Sequence, residues 1–168
     1  MSVLAAFLLQ PAEPSPSPSI CCSDPTLPPP ASLAETGYSP VINMFMDARM
    51  GRFSEGFSPN PTLSAHVAKA IVEGLQGENT PLGAEGYLPD FNRTIAALGK
   101  HYAGYGDPAG GLNSAAAAAT NQTVQEVYLK PWRSFAWAGG RAVMASHQTT
   151  NGIPMHANRK MLTDQLRG

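Results

Sequence analysis

Three short segments gather side chains able to bind a hydrogen-bonding ligand. The first is Asp47-Ala48-Arg49-Met50-Gly51-Arg52, with Glu55 just beyond it. The second is Lys100-His101-Tyr102-Ala103-Gly104-Tyr105-Gly106-Asp107, and the third is Ser146-His147 followed by Asn151-Gly152. Together they offer guanidiniums, an ammonium, imidazoles and carboxylates, the charged donors and acceptors that make strong hydrogen bonds to a polyhydroxylated ligand. Each also has a plainer reading. Asp47 with Arg49 or Arg52 is the composition of a loop-ordering ion pair, and a Lys-His pair at a strand end is often incidental. His147 and His156 have no third soft ligand nearby, which falls short of a zinc site. The Gly104 to Gly111 stretch lacks both the spacing and the Lys-Ser/Thr ending of a phosphate loop, and reads as a flexible surface turn.

These segments need elements to position them. Val41-Ile42-Asn43-Met44-Phe45 is a short apolar run suited to a buried strand. From Thr62 a helical period carries Leu63, Val67, Ala70, Ile71, Gly74 and Leu75, and Gly77 is placed to stop it. Residues 78–93 read as a loop, and Thr94-Ile95-Ala96-Ala97-Leu98 as a second strand ending at Lys100-His101. A helix is expected from Thr120 to Gln122 onward with Val124, Val127 and Tyr128 on one face. Pro131 should kink or restart it and Gly139-Gly140 should end it. Ala142 to Ser146 makes a third strand, and Asn158 can cap a last helix bearing Met161, Leu162 and Leu166. Strands alternating with helices predict a parallel α/β sheet, whose ligands bind at the carboxyl ends of the strands.

The 168 residues carry 11 Lys+Arg and 12 Asp+Glu, a net charge of -1, which argues against nucleic acid as a partner. No apolar run approaches the roughly 18 residues of a membrane span. Cys21 and Cys22 are adjacent and cannot staple distant parts of a fold. Half of the 16 prolines fall within residues 1–36, whereas all 16 glycines and all Lys+Arg come later. That leader is expected to be extended and disordered. Its apolar start, Val3 to Leu9, is at the minimum length for a secretory signal, and no Lys or Arg precedes it.

In order and spacing the clusters resemble glycoside hydrolase family 3. Ser39-Pro40-Val41-Ile42-Asn43 leading to Asp47 through Arg52 resembles "SPvvdv…DPRWGR", and Glu55-Gly56-Phe57-Ser58-Pro59-Asn60-Pro61 resembles "EsfGEDP". Gly74-Leu75-Gln76-Gly77 resembles "GlQG", Gly99 to Gly106 "aKHFaaYG", and Glu126 to Trp132 "EvYLpPF". Met144-Ala145-Ser146-His147, Asn151-Gly152-Ile153-Pro154 and Leu162 to Gly168 resemble "MtSyn…NGvP…LLtdvLRg". The match runs from Gly37 to Gly168.

The resemblance implies part of a (β/α)8 TIM barrel, about three βα units, belonging to a β-glucosidase or β-xylosidase that releases terminal β-linked sugars with retention. No cofactor or metal is implied, and the partner is a carbohydrate. By family analogy Arg52, Lys100 and His101 bind the terminal sugar's hydroxyls. His147 stands where many relatives place a Tyr beside that pocket, and Asp47 and Arg49 shape the loop. Ala48 and Met50 replace the family Pro and Trp, a change expected to loosen the loop that aims Arg52. A branch of N-acetylglucosaminidases carries an acid/base His in "KHFPGHG"; Tyr105 occupies that position here, which points to the glucosidase or xylosidase type. Retention needs two carboxyl groups about 5–5.5 Å apart. The family nucleophile and acid/base fall outside residues 37–168, so the isolated chain is expected to be inactive, at most a weak sugar binder. Three βα units would leave open sheet edges and fold marginally. Family habit favours an extracellular or lysosomal/vacuolar location, and two Asn-x-Thr acceptors, at Asn92 and Asn121, fit a secreted protein.

Overall fold

Residues 6–8, 36–77 and 94–167 are described by the computed structural model. The leader apart from Ala6–Leu8 and Thr36, the expected loop at 78–93 with its Asn92 acceptor, and Gly168 lie outside these residues. Strands β1 (Ala6–Leu8), β2 (Thr36–Gly37), β3 (Ala96–Tyr102) and β4 (Ala142–Ala145) form one sheet in the order β1-β4-β3-β2. β2, β3 and β4 are mutually parallel, as the alternation of strands and helices requires, and β1 joins β4 antiparallel. The described part of the leader therefore covers an edge of β4 that was expected to stay open.

Helix α1 (Pro61–Gln76) connects the β2 side of the sheet to β3. Asn60 caps it by accepting from the Thr62 and Leu63 amides, and Pro61 occupies the first turn, where a missing N–H costs nothing. Its buried face is not the expected one. Ser64, Ala68, Val72 and Gln76 point inward, while Leu63 is 52% exposed. The stripe hides from a hydrophobicity reading because its ends are polar but paired. Ser64 Oγ donates to the Ser58 carbonyl, and Gln76 donates to Gly139 O and accepts from Ala97 N.

Between β3 and β4 the chain forms α2 (Asn121–Thr123), a π-helical stretch (Val124–Tyr128) and α3 (Leu129–Trp137). Proline has no N–H and crowds the carbonyl four residues back, here Val127, so the wider π turn sits where Pro131 demands room. α3 lies close on β3 because Gly99 has no side chain; a Cβ there would meet Trp132 at 2.9 Å and Phe135 at 3.1 Å. Tyr102, Trp132 and Phe135 pack edge to face in the core.

Of the run from Val41 to Phe45, Ile42 to Phe45 are buried as expected and Val41 partly so, but it is not a regular strand. It meets β3 through a single parallel bridge, Val41 to Lys100, with Ile42 N donating to Lys100 O at 3.0 Å. Thr149–Thr150 (β5) and Ile153–Pro154 (β6) form a separate hairpin, and a π-helical turn, Lys160–Gln165, closes the described chain with Met161 and Leu162 buried. As expected, Asn158 Oδ1 accepts from the Met161 amide.

Candidate active site

The carboxyl end of β3 is irregular. Lys100 pairs with Met144 and Tyr102 with Ala145, so two residues of β3 advance against one of β4 and His101 is displaced from the ladder. The peptide bonds Lys100–His101 and Tyr102–Ala103 are cis. His101 is 5% exposed, yet it is held by a specific partner from the neighbouring segment. Asn43 Oδ1 accepts from the His101 backbone N–H at 2.8 Å, which fixes which end of the amide is oxygen. Asn43 Nδ2 therefore faces His101 Nδ1 at 3.3 Å as the donor. An accepting Nδ1 places the imidazole proton on Nε2, leaving that N–H to serve a ligand. Burial, reinforced by the nearby Arg52, Lys100 and His147, pushes the imidazole pKa down to about 4. At neutral pH His101 is an uncharged donor.

The neighbouring loop brings a second cation to the same place. Arg52 Nε and Nη2 each donate at 2.6 Å to one oxygen of Glu55, and Nη1 donates to Tyr105 Oη at 3.0 Å. These contacts push the Arg52 pKa up and hold Glu55 below the ordinary carboxylate range. Tyr105 lies between the two segments. Its ring is 4.5 Å from the His101 ring and 5.4 Å from the Arg52 guanidinium carbon. Beneath it, Phe45, Met50 and Tyr105 form a small buried cluster, so the methionine that replaces the family Trp is packed in place.

Arg52, Lys100 and His147 thus all lie close enough to act electrostatically on His101, and His147, just past β4, is exposed at this rim. Three other candidates are taken up in structural roles. Asp47 grips Arg49 through its side chain and backbone amide, which lowers its pKa to about 2, so this is the ion pair that orders the loop. Asp107 accepts from the buried Tyr128 hydroxyl at 2.5 Å. Asn151 and Gly152 have φ of 52° and 80° and form the two-residue turn of the β5–β6 hairpin, the geometry that an Asn-Gly pair favours. Among the described residues, no three His, Cys, Asp or Glu side chains gather as a metal site. Glu55 belongs to the network as the first cluster suggested, and Asn43 and Asn113 belong to it without having been singled out from sequence. For these two asparagines the sequence carried no signal, since their partners are 58 and 8 residues away.

Residues 31–168 match the model of the glycosyl hydrolase family 3 N-terminal domain. A β-xylosidase of Formosa agariphila is 37% identical over 132 residues, covering 77% of this chain and 17% of the xylosidase. A β-glucosidase structure from Erythrobacter marinus aligns with TM-score 0.69 and 41% identity over 76% of this chain and 16% of that one. The Listeria innocua β-glucosidase in complex with isofagomine aligns with TM-score 0.71 and 28% identity over 80% of this chain and 18% of that one. The chain spans about a sixth of the length of these relatives. With the motifs, the parallel α/β sheet and the cationic rim all in agreement, the chain belongs to glycosyl hydrolase family 3, in its N-terminal domain.

Proposed function

We propose that residues 37–168 are part of a (β/α)8 barrel, about three βα units, and supply the terminal-sugar pocket of a β-glucosidase or β-xylosidase. The observation that carries this reading is the neutral His101, held with its Nε2–H free, beside Lys100 and Arg52 at the carboxyl end of β3. An uncharged imidazole N–H, an ammonium and a guanidinium can each donate to a sugar hydroxyl at fixed positions. His147 adds a fourth group at the pocket's edge.

In this reading, retaining cleavage of a terminal β-glycoside draws its nucleophile and acid/base carboxyls from residues outside 37–168. The carboxylates of the three clusters support that division, because each is engaged by a neighbour: Asp47 by Arg49, Glu55 by Arg52 and Asp107 by Tyr128. By itself the chain is then a weak sugar binder. Extracellular or lysosomal/vacuolar placement is part of the same proposal. Asn121 is an exposed Asn-x-Thr acceptor, and among the described residues no helix is long and apolar enough to cross a membrane.

The test is calorimetric titration with isofagomine alongside release of nitrophenol from nitrophenyl β-glucoside and β-xyloside. Binding that is lost in Lys100→Ala, with no turnover, is the expected result. Turnover abolished by Lys100→Ala would overturn the assignment of the catalytic carboxyls to residues elsewhere. Failure to bind would remove the pocket itself.

A further inference from the structure

Arginine carries five N–H donors in a rigid plane. Glu55 takes the Nε–H and one Nη2–H of Arg52, and Tyr105 takes one Nη1–H. One N–H on each terminal nitrogen is left for a ligand. Which way those two point depends on what holds the plane. The Glu55 pair is exposed, with side-chain accessibilities of 29% and 38% for Arg52 and Glu55, and an exposed ion pair alone is a weak constraint.

Tyr105 is the stronger constraint because its own hydroxyl is engaged both as donor and as acceptor. It donates to Asn113 Oδ1 at 2.5 Å while it accepts from Arg52. Tyr105 is 2% exposed, packed with Phe45 and Met50, and its ring is tilted against that of His101 at 4.5 Å. Asn113 in turn is presented by a loop that the backbone fixes. Gly110 and Gly111 have φ of 66° and 71°, and a Cβ on Gly111 would meet Arg49 Cβ at 2.9 Å and the Asp47 carboxylate at 3.1 Å. The glycine-rich stretch expected to be a flexible turn is therefore seated against the Asp47–Arg49 loop at one point and against Tyr105 at the next.

We propose that Tyr105 and Asn113 are positioning residues for Arg52, orienting its two remaining N–H donors toward neighbouring hydroxyls of the bound sugar. This rests on the sugar-pocket reading for the ligand, but the orientation of Arg52 is measurable without one. At the position where a sister branch of the family carries an acid/base histidine, this chain has a residue that acts through another side chain.

The experiment uses the full chain with guanidinium-labelled arginine and follows the Arg52 Nη resonances by NMR, then titrates isofagomine. In the parent, hindered rotation should keep the Nη signals distinct. In Tyr105→Phe and Asn113→Ala they should merge, and isofagomine affinity should fall about tenfold, the worth of one well-made hydrogen bond. Asn113→Asp keeps the acceptor oxygen and should restore both readouts. Arg52 signals unchanged in both Tyr105→Phe and Asn113→Ala would overturn the proposal. So would merged signals with unchanged isofagomine affinity. Merged signals in the variants of a parent that binds no isofagomine would support the positioning of Arg52 and sink the sugar reading instead.

Discussion

Lys100 and His101 ride on a core strand, whereas Arg52 rides on a surface loop, and the two regions hold their groups by different physics. At the end of β3, position comes from burial: His101 is enclosed, and Asn43 satisfies both its backbone N–H and its ring nitrogen. That enclosure costs charge, since a buried imidazole resists protonation. In the 47–55 loop the charges stay nearer water and are paired locally, Asp47 with Arg49 and Arg52 with Glu55, with Tyr105 adding a second hold on Arg52. Such pairs order a loop locally without contributing much to the fold. The rim thus combines His101, placed by burial, with a loop whose charges are paired mainly with one another. Tyr105 is the tie between the two.

If that contrast is right, perturbing the buried side should unfold the protein and perturbing the loop should not. The largest effect is expected from Gly106→Ala. A Cβ there would lie 2.3 Å from the Met44 carbonyl oxygen, and Met46 N donates to Gly106 O across the same contact. The buried 42–45 segment would be pushed off the β3 turn at a cost of about 3 kcal/mol, read from the chemical denaturation midpoint. A normal midpoint would show that this segment is not fixed by backbone packing.

Acidification comes next. The folded pKa of His101 lies below its ordinary value of 6.5, so between that value and about 4 the unfolded chain binds the additional proton. Stability is complete above about pH 6.5 and declines as pH falls through the folded pKa, by about 3 kcal/mol from this residue. The decline should be absent in His101→Gln; if it persists there, another group is responsible.

Asn43→Ala should follow, at about 1–2 kcal/mol, because it strands the His101 amide and removes the donor that selects the imidazole tautomer. Its NMR signature is a mixture of protonated ring nitrogens where the parent has Nε2–H alone. The smallest effect belongs to Arg49→Ala, which should leave the melting temperature within experimental scatter. A clear drop would mean that the loop shares the stability of the core.

Much of the architecture was legible because periodicity and punctuation were strong. Asn60-Pro61 and Gly77 bracket α1, Thr120 and Gly139-Gly140 bracket the second helical segment, and alternation gave the parallel order. The inward face of α1 was not, because Ser64 and Gln76 read as polar until their partners at Ser58, Ala97 and Gly139 are known. The same limit applies at the rim. Arg52, Lys100 and His101 stand in recognisable motifs, but Asn43 and Asn113 are ordinary asparagines whose role exists only through contacts made by folding. The Asn-Gly pair at 151–152 was the reverse case, a hairpin signal first grouped with the rim.

The pairing of β1 with β4 also bears on the order of folding. Leu8 opposes Ala142 and Ala6 opposes Met144, so this ladder closes over roughly 130 residues of chain. During synthesis β1 leaves the ribosome well before its partner β4, which emerges only after both α1 and β3. The β2–β3 pairing and the packing of α1 can form while the chain is still growing, whereas β1 must wait. A contact of such long range is late and entropically expensive. Among the described strands of this sheet, β1 is therefore made before its partners and is the last to take its place.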